Sequence, residues 1–192
     1  MFFKKTVPFD TFLRMIFGAT ARASFDIRGV DLEGRLSEAD WHRLDTQMHP
    51  FVFTILQFLL IEKIQTGKLR LPPEELGRSF GQAVVFGYHD AGYPAEEAVH
   101  ASENVLKAID DYTDSLDKVS ESELDTKGPF FFLCQHFVGS FIPDFAPRDE
   151  LQREKHFLAF DVANQAYKNT REGFEAAYKK VKLTFQEMHT NR

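Results

Sequence analysis

The chain has 192 residues, 43% of them hydrophobic, and a net charge of −6. That length supports one domain with a substantial core, and the acidic balance argues against a general nucleic-acid binder, which needs a basic face to displace counterions. The one cysteine, Cys134, excludes an intrachain disulfide and any cysteine-based zinc knuckle, and it fits a reducing cytoplasm.

Residues 1–36 are predicted to form an N-terminal amphipathic helix and a loop, ahead of a helical domain over 37–192. Phe9, Phe12, Leu13, Ile16 and Phe17 recur at helical spacing, as one apolar face would. Such a face docks on a core, or else on a membrane surface or a partner. Asp10 and Arg14 interrupt the segment, so it fails as a signal sequence. Residues 24–36 hold two glycines and mixed charges and read as a loop.

Ser37 with Asp40 three positions on predicts a capped helix start, and a short helix to about Met48. Pro50 suits the first turn of a following helix that runs to about Thr66 and stops at Gly67. This second helix is apolar nearly all round and belongs in the centre of a bundle. Its run "FVFTILQFLLI" is shorter than a bilayer span, so no stable membrane insertion is expected.

"LPPEEL" opens a helix at Pro73, with Leu76, Phe80, Val84 and Gly87 facing inward and an end near Asp90. A helix from Pro94 to about Lys118 turns Ala98, Ala101, Val105, Ile109, Tyr112 and Leu116 to the core. "SESELDTKG" reads as a polar loop, and "PFFFLCQHFVGSFI" as a short apolar helix closed by Pro143. The last helix starts near Pro147 and runs past residue 185. Phe157, Phe160, Tyr167, Phe174, Tyr178, Val181, Phe185 and Met188 form a roughly heptad seam on it, which admits a homodimer. No strand pair or internal repeat stands out. The expected fold is all-α, a single-domain helical bundle of about six to seven helices.

The stretch "AVVFGYHDAGYP" sets His89 and Asp90 side by side at a helix end. Imidazole and carboxylate together suit Mn, Fe, Co or Zn. Further ligands would come from other helices. His49 heads the apolar central helix, and Asp161 lies beside the seam of the last one, with Asn164 and Gln165 a turn on to orient it.

The order His49, His89-Asp90, Asp161 on successive helices resembles the HD-domain metal-dependent phosphohydrolases, over about residues 45–170. The resemblance implies an HD-like bundle in which these four residues hold a divalent metal, with His42 as the substitute for His49. A second ion would draw on His100 and His136, with Asp90 as the bridging, catalytic carboxylate. His136 reads equally as a ligand or as a satisfied core histidine. His100 shares a face with Glu96, Asn104 and Lys107 and reads slightly more readily as solvated. His42, His156 and His189 fall in charged surroundings and read as surface residues. The metal-activated water would hydrolyse a phosphate ester of a nucleotide or related small metabolite, with Arg78 and Lys168 as candidate anion-binding groups. Two alternatives stay open. One is a di-iron oxygenase on the same scaffold. The other is a non-enzymatic helical interaction protein whose His-Asp order is coincidental or decayed.

Overall fold

A computed structural model of the chain describes residues 4–23, 36–142 and 149–184. A short strand, β1 (Lys5–Pro8), leads into α1 (Phe9–Ala23). Then come α2 (Glu38–Gln65), α3 (Pro73–Asp90), α4 (Ala95–Asp117), α5 (Glu121–Lys127), α6 (Pro129–Phe141), α7 (Glu150–Lys180) and a second strand, β2 (Val181–Thr184). The described residues thus form an all-α, single-domain bundle with one small sheet. Outside them lie the segment 24–35, Pro143, Pro147, Phe185, Met188 and His189, so the expectations placed there have no structural counterpart.

The centre of the bundle is α2. Its start is a reciprocal cap: the Asp40 N–H donates to the Ser37 hydroxyl (3.2 Å), and the Ser37 N–H donates to the Asp40 carboxylate (3.0 Å). The sequence reading expected a break at Pro50, but one helix of 28 residues runs through it. Pro50 has no N–H for the carbonyl four residues back. Met48, His49, Phe51 and Val52 are all buried around it, and tertiary packing of that kind outweighs the local cost. The merged helix is long and apolar enough to cross a membrane by length and composition, yet 67% of its most apolar stretch is buried inside the bundle. It packs on α4, α6 and α7.

Helix α1 belongs to the same core as the rest. It packs mainly on α3, where Gly87 lets the two backbones approach: a Cβ there would lie 3.2 Å from the Phe17 Cβ. Phe17 meets Phe80 edge-on at 4.8 Å and Phe53 at 4.9 Å between ring centres, which joins α1, α2 and α3.

Three local expectations are corrected. The polar stretch after α4 contains a helix, α5. Helix α7 stops at Lys180 instead of running past 185, because Val181–Thr184 pairs in parallel with Lys5–Pro8, with Lys5 opposite Val181 and Val7 opposite Leu183. The inner face of α7 is also lined differently from the heptad reading. Ala159, Val162, Ala163 and Ala166 are buried together with Phe174, while Phe157 is 69% exposed. Two ion pairs tie α7 to α2, Lys155 to Asp40 (2.7 Å) near one end and Lys63 to Glu175 near the other.

Candidate functional site

The His-Asp dyad closes α3, one position before the Ala91 cap. His89 is 58% exposed, and its Nδ1 lies 3.8 Å from an Asp90 carboxylate oxygen. Both Asp90 oxygens accept from Arg14 of α1, at 2.5 Å from Nε and 2.6 Å from Nη2. This bidentate grip is the main force holding the Asp90 carboxyl below its ordinary pKa, against the opposing effect of burial, with His89 adding to the lowering. The Arg14 guanidinium also covers the Phe86 ring at 4.8 Å. In this arrangement Asp90 fastens α1 to the end of α3.

His49 is buried and shares a 3.0 Å hydrogen bond with the Tyr88 hydroxyl through Nδ1, its ring stacked on Phe53 at 5.9 Å. Burial first, and then Tyr93, push the Tyr88 phenol above its usual pKa, so it stays protonated. The structure therefore brings His49 to Tyr88, the buried residue preceding the exposed His89.

The remaining sequence candidates lie elsewhere. Asp161 is exposed on α7, on the side away from buried Val162 and Ala163, and α7 packs on α2 and α6 while α3 packs on α1 and α4. Gln165 donates to Asn169 (2.8 Å), a turn away from Asp161. His100 is 81% exposed beside Glu103. His136 is half-buried with its ring edge-on to Tyr112 at 4.5 Å, and burial lowers its pKa, with Asp111 opposing. Cys134 near it is buried, which pushes the thiol up to about 11 and leaves it unreactive. Arg78 faces Glu75 at 3.9 Å, and Lys168 is exposed. Among the described residues no three His, Cys, Asp or Glu side chains group so as to hold a metal ion. As arranged, the residues implied by the resemblance do not fit a metal centre.

A different feature has the shape of a site. Between α1, α2, α7 and the β1–β2 pair lies a cavity of about 680 Å³, within the size range of small-molecule pockets. Phe12, Met15, Ile16 and Ala19 line it from α1, Val52 and Leu56 from α2, and Ala166, Phe174 and Ala177 from α7. Val7 and Val181 close one end. Phe12 meets Phe174 edge-on at 6.1 Å, which holds the α1 and α7 walls together. Among the described residues, Lys5, Lys180, Thr20, Asn169 and Thr170 are the polar ones lining it, and no acidic side chain does. A built Cβ at Gly173, also on the wall, meets nothing within 4 Å, so the helix leaves space there. Nothing in the sequence pattern marks this site, since the large residues of α7 read there as a roughly heptad seam interrupted by Asn164 and Arg171.

Comparison with known protein families, curated proteins and solved structures finds no match to this chain.

Proposed function

We propose that this protein is a non-enzymatic helical binding protein that takes an apolar small molecule into the cavity between α1, α2 and α7. The observation that carries this reading is the cavity itself. Its volume is about 680 Å³, its walls are mostly aliphatic and aromatic, and a few uncharged or basic groups sit among them. Met15 lines it and is 62% exposed, an apolar side chain at an opening where water would otherwise select a polar one.

Two observations favour this over hydrolysis of a phosphate ester. Asp90, the residue the hydrolase reading needs most, has both oxygens engaged by Arg14. Asp161 is exposed on a helix that packs elsewhere. The nearness of His49 to the end of α3 favours the metal reading. The test is a titration of the full chain with the neutral apolar dye Nile red. A saturable one-to-one rise in fluorescence is expected, lost in Gly173→Leu, whose side chain would occupy the cavity, with helix content unchanged. Absence of saturable binding, or equal binding by the filled variant, would refute the proposal.

A further inference from the structure

We infer that the cavity selects a long alkyl chain ending in a carboxylate, with the acid group at Lys5 and Lys180. This rests on the binding reading above and adds the class of ligand. Shape comes first. The lining residues of α7 run from Ala166 to Lys180 and on to Val181, which at ~1.5 Å per residue makes a channel roughly 20 Å long. A groove of that length accommodates one extended alkyl chain lying along α7.

Charge is asymmetric along the channel. In the parallel pair Lys5 lies opposite Val181, so Lys180, the last residue of α7 and one before Val181, stands at the same end as Lys5. Lys5 shares its strand face with Val7, and Val7 and Val181 both line the cavity, so this face of the sheet is its end wall. Both lysines are exposed, and among the described residues neither makes an ion pair. Two cations at one end of an apolar channel with no acidic side chain among its described lining residues are complementary to a single negative group. Among the described residues, the far end carries the uncharged Thr20, Asn169 and Thr170. The ligand therefore has one charged end.

The experiment compares palmitate with hexadecanol, the neutral alcohol of equal chain length, by displacement of Nile red from the full chain. Palmitate is expected to bind roughly tenfold tighter, each exposed lysine contributing at most about fivefold. The double variant Lys5→Gln, Lys180→Gln should bring palmitate to the affinity of the alcohol and leave hexadecanol unchanged. Equal affinity for both ligands, or palmitate binding untouched in the double variant, overturns the acid-end assignment while the cavity reading stands. Nile red binding with displacement by neither chain overturns the chain-shaped ligand. No binding of any of the three overturns both readings together.

Discussion

Asp40 shows how one side chain can hold two helices in register. Its Oδ2 accepts from the Ser37 hydroxyl (2.7 Å), the Ser37 N–H (3.0 Å) and Lys155 of α7 (2.7 Å). Burial pushes its carboxyl up, but the hydrogen bonds from Lys155 and Ser37 outweigh that and hold it down to about 2. Because the folded pKa lies below the unfolded one, this stability is complete above about pH 4 and is lost as pH falls through about 2. Asp40→Asn should thus cost about 1–2 kcal/mol in urea unfolding at pH 7, with the difference from the parent shrinking toward zero as pH approaches 2. An equal difference at both pH values would mean that the ion pair contributes nothing. The cap between Ser37 and Asp40 was legible in the sequence because it is local. Lys155 was not, since the two partners meet only after α7 has packed on α2. The same limit applies to His49 and Asp90. Their residue types were noticed, but their actual partners, Tyr88 and Arg14, come from elements whose arrangement no spacing rule supplies.

Among the elements, α1, α3 and α4 were the easiest to read. Each buries one stripe of large apolar residues at helical period, as Phe12, Leu13 and Phe17 do in α1. α2 and α7 were harder for opposite reasons. In α2 the proline punctuation was local and was overridden by burial on every side. In α7 the large side chains that looked like a seam, apart from buried Phe174, flank a contact made by alanines, so much of the apolar signal marked the rim of the interface. Glycines separate these two kinds of helix surface. At Gly87 a methyl group would press on the α1 backbone, 3.4 Å from the Phe17 carbonyl carbon and 3.5 Å from the Gly18 nitrogen, while at Gly173 it would meet open space. Gly173→Ala should raise stability by up to about 1 kcal/mol through helix propensity alone. Gly87→Ala gains the same propensity but overpacks the α1–α3 contact, for a net loss of about 1 kcal/mol. Thermal or urea unfolding of the pair checks this. If both are stabilised, α1 and α3 are not closely packed at Gly87.

For the whole molecule, the fold class followed from composition and periodicity, whereas the cavity did not. Three helices and both strands contribute to it, and its apolar residues in isolation read as ordinary core. Of the four-residue order that pointed to a metal, Asp161 sits on α7, away from the end of α3, and Asp90 is committed to Arg14. Protein purified without chelator should therefore carry no stoichiometric Mn, Fe, Co or Zn, and added Mn²⁺ should leave the melting curve unchanged. One ion per chain, lost on Asp90→Ala, would restore the metallohydrolase reading.

The β1–β2 pairing joins segments from opposite ends of the described chain, and each strand has only four residues. A two-stranded sheet of that size is marginal by itself, and it closes the longest loop in the fold, a contact that forms late because of its entropic cost. The end wall carrying Lys5 is therefore the last piece assembled and the first to unzip. Brief fraying of this clasp would give a guest molecule a doorway while the helices behind it stay in place.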